Sequence, residues 1–255
     1  MDLDLKDKVA IVTGAGSNKG IGNAMAHALA GEGVHVAVTD IMQEGIDALA
    51  DKLANTGVKT LAVQADQSQY EQVKDAVARV TGEFGKVDIL VNCAALTGNF
   101  GTISKMPPEA WTREINVNLN GPYYWTREVL PLMKKNAWGR IINISSVAGL
   151  FGTTGIPAYS VSKGGLHLLT KQTAREVARK GITANTLVLG IIATEIYERQ
   201  GIGQDTVDRL VSNIPMGRMG EPSEVADAAL FLCSDKAKYI TGTNVLVEGG
   251  ISISL

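Results

Sequence analysis

Short runs of β-branched and aliphatic residues alternate along the chain with longer segments of helical periodicity. The runs lack polar alternation, which is typical of strands buried on both faces of a parallel sheet. Strands are expected at residues 8–13, 34–40, 59–66, 87–92, 139–145, 182–188 and 244–250. Helices are expected at 20–33, 44–57, 68–84, 107–135 and 157–180, and from Ser223 onward. Because strand–helix–strand crossovers are right-handed, this pattern predicts an α/β fold with a doubly wound parallel sheet.

The composition is that of an ordinary globular protein. Of 255 residues, 45% are hydrophobic and 20% are charged, and no linker or low-complexity stretch divides them. We therefore expect a single domain over residues 1–255. The net charge is −2 with both signs interspersed, so we expect neither a nucleic-acid partner nor a membrane partner.

The remaining bulk features favour a cytoplasmic location. The first residues, MDLDLKDKVAIVTG, do not have a signal-peptide layout. No apolar run approaches the roughly 20 residues of a membrane span. The two cysteines and three histidines are widely scattered, so we expect no disulfide framework and no metal site.

The segment TGAGSNKGIG, residues 13–22, connects the first predicted strand to the first helix and is called the glycine loop below. Glycines permit a tight turn and let the backbone approach a pyrophosphate, whose charge then meets the helix N-terminus. A purely structural glycine-rich turn would have the same spacing. In the functional interpretation, the dinucleotide contacts come from Gly14, Asn18, Lys19, Gly20 and Ile21.

Two aspartates follow the next two predicted strands. Asp40 is expected to accept hydrogen bonds from both ribose hydroxyls of an adenosine and to repel a 2′-phosphate, whereas Asp66 is expected to reach the adenine. Either residue is also compatible with a turn or a helix cap. Lys19 is either a ligand of a 2′-phosphate or a solvated lysine paired with Asp40. Since no Arg or Lys adjoins Asp40, we expect NAD rather than NADP.

A serine, a tyrosine and a lysine form the candidate reactive group. Tyr159 and Lys163 lie four residues apart at the start of a predicted helix, so both project from one face. An ammonium nearby, with the positive nicotinamide ring of an oxidised cofactor, is expected to lower the phenol pKa from about 10, which allows proton exchange with an alcohol near neutral pH. Ser146 is expected to hydrogen-bond the substrate oxygen. A Tyr and a Lys at this spacing also occur by chance in many helices.

In combination, these motifs resemble the short-chain dehydrogenase/reductase family over essentially the whole chain. The resemblance is carried by TGAGSNKGIG, Asp40, Asp66, NCAA (92–95), VNLNG (117–121), Ser146, Tyr159-SVS-Lys163 and YITGTNVLVEGG (239–250). It implies a single Rossmann-type sheet of seven strands in the order 3-2-1-4-5-6-7. It also implies a homotetramer and direct hydride transfer between the C4 atom of nicotinamide and a carbinol carbon.

The resemblance also implies roles for individual residues. Tyr159 is the catalytic acid and base, Lys163 holds the nicotinamide ribose and tunes Tyr159, and Ser146 orients the substrate oxygen. Asn118 supports a water-mediated proton relay. Further cofactor contacts are implied for Asn92, Ala94, Gly190, Ile192 and Thr194.

Four features of the sequence depart from the family pattern. The glycine loop is two residues longer than usual, so its individual phosphate contacts are open. Cys93 and Ala95 replace Asn and Gly, and Cys93 is expected to be a packed small residue. Leu189 replaces a proline, and Asn120 replaces a small residue and receives no role.

Substrate selection is expected in the segments that resemble the family least, which are residues 96–101, 150–157 and 191–210. Residues around 191–212, called the lid segment below, are expected to close over the nicotinamide. Leu150 and Ile196, with neighbouring apolar residues, suggest a mostly apolar substrate pocket. The same residues are also compatible with a subunit interface.

Three functions are compatible with these features. The leading hypothesis is an NAD-dependent alcohol dehydrogenase, or ketone reductase in reverse, for a small or medium secondary alcohol. A 3-oxoacyl-(acyl-carrier-protein) reductase that uses NADP is the alternative, because residues 217–226 (GRMGEPSEVA) also resemble that group. The third is a cofactor-bound regulatory protein without turnover, which an intact Ser146, Tyr159 and Lys163 argue against.

Overall fold

The computed structural model describes residues 3–98 and 100–253, so residue 99 of the segment 96–101 and the four terminal residues of the expected domain lie outside it. Seven parallel strands form one sheet in the order β3-β2-β1-β4-β5-β6-β7, which confirms the expected topology. The strands are β1 (Val9–Thr13), β2 (His35–Asp40), β3 (Thr60–Gln64), β4 (Ile89–Asn92), β5 (Gly139–Ser146), β6 (Ile182–Leu189) and β7 (Asn244–Val247).

Helices cover both faces of the sheet. They are α1 (Ile21–Gly31), α2 (Gln43–Ala54), α3 (Tyr70–Phe84), α4 (Pro108–Ile115), α5 (Gly121–Asn136), α6 (Ala148–Phe151), α7 (Pro157–Val177), α8 (Ile196–Arg199), α9 (Gln204–Ser212) and α10 (Pro222–Cys233). Apolar residues of α1, α2 and α10 form the core on one face. Those of α3, α5 and α7 form the core on the other face. Strands buried on both faces therefore explain the unbroken apolar runs in the sequence.

The sheet topology brings the candidate functional residues to one edge. All strands are parallel, so the residues that follow β1, β4, β5 and β6 meet at their carboxyl ends. The strand order reverses between β1 and β4, and the crevice at such a reversal is where ligands bind in doubly wound sheets. The glycine loop follows β1 at this crevice.

The helical segments differ from the sequence expectation in three places, one of which is the short helix α6, which was not expected. The helix expected at 107–135 is divided by a π-helical turn, Asn116–Asn120, between α4 and α5. The polar stretch after β6, for which no helix was expected, contains α8 and α9. In α9, the apolar residues Val207, Leu210 and Val211 recur at helical spacing, a signal too short to stand out from its polar surroundings.

No helix in the two described ranges has the length and apolar character needed to cross a lipid bilayer.

Candidate active site

The end of β5 and the start of α7 bring the serine and the tyrosine together. Ser146 is the last residue of β5, and Tyr159 lies in the first turn of α7. The Ser146 hydroxyl lies close enough to the phenol to stabilise its ionised form. The same hydroxyl accepts a hydrogen bond from the amide of Ala148 at 3.2 Å, which orients it. Ser146 and Tyr159 therefore share one position at which a substrate oxygen can bind.

The pKa of Tyr159 differs from the sequence expectation. Burial of the phenol raises its pKa to about 12, although the Ser146 side chain acts in the opposite direction. The lowering expected from Lys163 together with an oxidised nicotinamide ring is not seen in the protein alone, because burial disfavours the phenolate more strongly than its neighbours favour it. A phenolate near neutral pH therefore needs a further positive charge beside the ring.

Lys163 lies one helical turn after Tyr159 and beneath the site. Its Nζ atom is 5.6 Å from the centre of the Tyr159 ring and donates a hydrogen bond of 2.7 Å to the carbonyl of Ile144. The side chain is buried, and this burial lowers its pKa to about 8. The ammonium thus has a fixed orientation and a weakened preference for the charged form.

A second serine fixes the position of helix α7. Ser145 donates a hydrogen bond of 3.0 Å to the carbonyl of Lys163, and its hydroxyl also lies 2.8 Å from Nε2 of His167. Burial lowers the pKa of His167, so the imidazole is neutral near pH 7. The two adjacent serines therefore differ in position, since Ser146 faces the phenol and Ser145 binds the helix backbone.

Asn118 anchors the loop that follows β4. Its amide group accepts a hydrogen bond from the backbone N–H of Leu96 and donates one to the carbonyl of Leu96, both at 2.7 Å. Asn118 lies in the π-helical turn, a local widening that is frequent at functional sites. Its side chain therefore fixes one wall of the crevice, and any proton relay at this residue would use its backbone groups.

Three residues near the site were missed from the sequence. Gln67 donates hydrogen bonds to the carbonyls of Ala94 at 3.1 Å and Val117 at 2.8 Å, which joins the ends of β3 and β4 to the π-helical turn. Glu114 is 1% exposed and lies one helical turn before Asn118. After burial, electrostatic interactions with Tyr197 in the lid segment, Cys93 and Glu114 also raise the pKa of Tyr159. The available signal for Glu114 was an acidic residue four positions before Asn118, on the same helical face.

Two glycines of the glycine loop lie so close to neighbouring backbone atoms that a side chain would not fit. Gly14 has a φ angle of +70°, and a Cβ atom there would lie 2.5 Å from the Cα of Ala94. A Cβ on Gly22 would lie 2.5 Å from the carbonyl oxygen of Gly14. Gly20 precedes α1 without a side-chain cap, so the first amides of α1 keep the donor character of a helix N-terminus. These features fit the pyrophosphate of a dinucleotide.

Asp40 is positioned by the glycine loop itself. Its carboxylate accepts hydrogen bonds from the amides of Gly16 at 2.9 Å and Met42 at 3.1 Å. Since a carboxylate has about four acceptor sites, it retains capacity for two ribose hydroxyls. Within the described residues, Asp40 and Lys19 do not form the ion pair considered from the sequence, and the Lys19 side chain is exposed. Lys52 instead contacts the loop, 3.5 Å from the amide oxygen of Asn18.

The other residues expected at a cofactor surround the same crevice. Asn92, at the end of β4, donates a buried hydrogen bond of 2.8 Å to Asn143. The amide of Ala94 donates to the Thr13 hydroxyl at 3.0 Å. Asp66 lies farther out, where it lines a groove of about 670 Å³ together with residues of α4. Its carboxylate accepts a hydrogen bond from the Ser68 amide, as in a turn.

Backbone hydrogen bonds fix the first residues after β6, and the rest of the lid segment follows them. The amide of Gly190 donates to Val247 in the β7 strand, and the amide of Ala193 donates to Gly220. Ile192 is buried, and Thr194 lies two residues after it. Leu150 and Ile196, expected to bind substrate, each leave more than a third of their surface exposed. They lie on α6 and α8 respectively, on either side of Tyr159 in sequence.

Cys93 packs partly against the core beneath the glycine loop. Burial raises the pKa of its thiol to about 12, so the thiol remains protonated and unreactive. No group of three or more His, Cys, Asp or Glu side chains in the described ranges is arranged to hold a metal ion.

Comparisons with known proteins cover nearly the whole chain. A family model described as enoyl-(acyl carrier protein) reductase matches residues 14–252. The 3-oxoacyl-(acyl-carrier-protein) reductase of Staphylococcus epidermidis is 37% identical over 246 residues, which are 96% of this chain and 99% of that protein. The enzyme of the same name from Thermotoga maritima is 36% identical over 98% of this chain and 100% of its own length.

A solved structure is also similar. The crystal structure of an NAD⁺-bound xylitol dehydrogenase has a TM-score of 0.91 and 30% sequence identity. The match covers 97% of this chain and 100% of that one.

Proposed function

Because the chain belongs to the short-chain dehydrogenase/reductase family, we propose that it is an NAD-dependent oxidoreductase of a secondary alcohol and its ketone. The observation that carries this proposal is the convergence of Ser146, Tyr159 and Lys163 at the crevice beside the glycine loop. A cofactor-bound regulatory protein without turnover would not need a buried phenol beside a serine hydroxyl.

In the proposed mechanism, the crevice would hold a nicotinamide cofactor, which would supply the hydride chemistry. Ser146 hydrogen-bonds the reacting oxygen of the substrate, and Tyr159 takes up or returns the hydroxyl proton. Lys163 contributes positive charge below the phenol. Asn118 holds the Leu96 loop in place and maintains the shape of the crevice.

Asp40 supports NAD over NADP. Its carboxylate lies at the end of β2 against the Gly16 amide, and a negative charge there disfavours a 2′-phosphate. Within the described residues, the exposed Lys19 forms no ion pair with Asp40 and so does not neutralise its charge. Gly14, Asn18, Gly20 and Ile21 would hold the pyrophosphate, Asp66 the adenine, and Asn92, Ala94, Gly190, Ile192 and Thr194 the nicotinamide half.

Two substrate classes are supported by different observations. The similarity to a xylitol dehydrogenase supports a small alcohol. The higher identity to 3-oxoacyl-(acyl-carrier-protein) reductases supports a 3-oxoacyl thioester as the second candidate. Leu150 and Ile196 would contact either substrate, with the lid segment closing over it.

We also propose a single domain that assembles as a homotetramer in the cytoplasm. Strands from the whole length of the described chain join one seven-stranded sheet, which supports a single domain. Exposed apolar side chains on α7 and at the β7 edge support assembly. Both cysteines are free, as is usual in a reducing compartment.

The proposal is tested with the purified protein and a panel of secondary alcohols, ketones and a 3-oxoacyl thioester, read by NADH absorbance. We expect turnover with NAD or NADH and much weaker turnover with NADP or NADPH. Tyr159→Phe should lower kcat by at least about 10²-fold, because the proton-transferring group is lost. NADH binding, measured by fluorescence, should be retained.

Tyr70→Phe is a matched control, since Tyr70 lies on α3 and contacts Glu128 outside the crevice. Wild-type kcat in Tyr159→Phe would contradict the mechanism. A preference for NADPH would contradict the role of Asp40, and activity confined to the thioester would favour the second candidate.

A further inference from the structure

The long glycine loop contacts the lid segment directly. The Ser17 hydroxyl donates a hydrogen bond of 2.8 Å to Oε2 of Glu195, a residue 178 positions later in the chain. Ser17 lies within the part of the loop that is longer than the family pattern, and Glu195 follows Thr194. This hydrogen bond is called the lid–loop contact below.

The Glu195 carboxylate is held from several sides. Arg199, one turn later on α8, donates to the same oxygen at 2.7 Å. The Ser17 hydroxyl, the Arg199 charge and the backbone N–H of Lys19 all lower the pKa of Glu195, so the carboxylate is charged near neutral pH. A charged acceptor makes the lid–loop contact stronger than a bond between neutral groups.

The loop side of the contact is braced. The amide of Gly16 donates to Asp40, and the amide of Gly20 donates to the carbonyl of Ser17 at 3.0 Å. Lys52 of α2 contacts Asn18. The Ser17 hydroxyl is therefore presented from a fixed position rather than from a freely moving loop.

The other end of α8 is attached to a different wall of the crevice. Gln200 donates a hydrogen bond of 3.2 Å to the carbonyl of Thr97, in the loop after β4. The lid segment is thus attached at Glu195 to the loop after β1 and at Gln200 to the loop after β4. Both attachments come from the segment that follows β6.

The position of the lid–loop contact has a topological consequence. Strands β1 and β6 are separated in the sheet by β4 and β5, so a bond between their following loops spans the crevice. A dinucleotide binds across such a crevice with its pyrophosphate at the N-terminus of the first helix. A bond that joins the two sides of this crevice would have to open before a dinucleotide enters or leaves.

We propose that Ser17 and Glu195 are positioning residues whose hydrogen bond retains the cofactor and controls the rate of its release. The inference rests on the proposed dinucleotide site. It assigns the additional residues of the glycine loop a role in reaching the lid segment. It also makes the Lys19 backbone, rather than its exposed side chain, part of that contact.

The test measures NADH release from the intact protein by stopped-flow fluorescence, with excess NAD as the chase. Ser17→Ala and Glu195→Ala should each increase the release rate about tenfold, since opening no longer breaks a hydrogen bond to a charged group. The double variant should release NADH no faster than Glu195→Ala, because either substitution removes the same bond. Glu198→Ala, at an exposed position of the same short helix, is the matched control and should leave the rate unchanged.

The possible results separate a failure of this proposal from a failure of the proposed function. Additive effects in the double variant would indicate two independent structural losses and would overturn the proposal. Unchanged or slower release would overturn it too, and slower release would mean that Glu195 competes with the cofactor. Wild-type protein that fails to bind NADH would instead contradict the proposed function. A melting curve of each variant identifies any loss of folded protein.

Discussion

Burial favours the neutral form of both side chains nearest the proposed reaction. It raises the pKa of Tyr159 to about 12 and lowers that of Lys163 to about 8, so each side chain favours its neutral form. The Lys163 ammonium is 5.6 Å from the ring centre and does not offset the burial of the phenol. Alcohol oxidation should therefore depend on pH, with activity rising as the phenolate forms.

The pH dependence is sensitive to Glu114. Its negative charge opposes a phenolate and so contributes to the raised pKa of Tyr159, after burial, Tyr197 and Cys93. Glu114→Gln should move the pH profile of alcohol oxidation to lower pH, by less than about one unit. The measurement is kcat/KM for alcohol oxidation as a function of pH, with NADH binding followed in parallel.

Glu109→Gln is the control for that shift. Glu109 is an exposed residue in the first turn of the same helix, so the substitution removes an equal charge without approaching the phenol. A profile that moves to higher pH in Glu114→Gln, or that moves equally in both variants, would contradict the electrostatic role of Glu114.

At the scale of elements, the glycine loop serves packing as well as phosphate binding. Helix α1 approaches β1 so closely that a Cβ on Gly22 would lie 2.5 Å from the backbone of Gly14. Gly14 in turn lies against Ala94 after β4. These approaches hold the first helix, the first strand and the β4 loop in one arrangement at the crevice.

Gly22→Ala should therefore lower the free energy of unfolding by about 1–3 kcal/mol, because the added methyl group has no space. It should also weaken NADH binding, since α1 has to move away from the loop. Chemical denaturation and fluorescence titration measure the two effects.

The same helix supplies the control. A Cβ on Gly31, at the end of α1, would meet nothing within 4 Å. Gly31→Ala should leave NADH binding unchanged and raise stability by about 0.5–1 kcal/mol, because alanine loses less backbone entropy on folding. Equal destabilisation in both variants would contradict the role assigned to the close contact at Gly22.

At the scale of the whole molecule, a sequence reveals local patterns but not the contacts between distant segments. The strands were predictable because a strand that is buried on both faces has an unbroken run of apolar residues. The strand order came from the family resemblance. The positions of Ser146, Tyr159 and Lys163 followed from motif spacing along one strand and one helix.

The remainder depended on contacts between distant segments. Nothing near Ser17 in the sequence indicates Glu195, and nothing near Gln67 indicates the carbonyls of Ala94 and Val117 that it binds. The raised pKa of Tyr159 was missed for the same reason, because burial is a property of the complete fold. The helices α8 and α9 were missed because a few apolar residues in a polar stretch give a weak periodic signal.

Two separate exposed apolar surfaces bear on the proposed assembly. On α7, Val161 and Leu168 are seven residues apart on one helical face, and Leu168 is 69% exposed. On the other side, Leu246 of the edge strand β7 and Phe231 of α10 are 49% and 40% exposed. Two different self-complementary surfaces on one chain generate a tetramer with dihedral symmetry.

The two surfaces can be removed one at a time. Leu168→Glu and Leu246→Glu should each convert a tetramer into a dimer, because a buried unpaired carboxylate is unfavourable at an interface. The double variant should be a monomer, and the molar mass from light scattering distinguishes all three states. Lys171→Glu, an exposed change of charge on α7 three residues beyond Leu168, controls for charge alone. A wild-type monomer would contradict the assembly, and a tetramer in both single variants would mean that other surfaces form it.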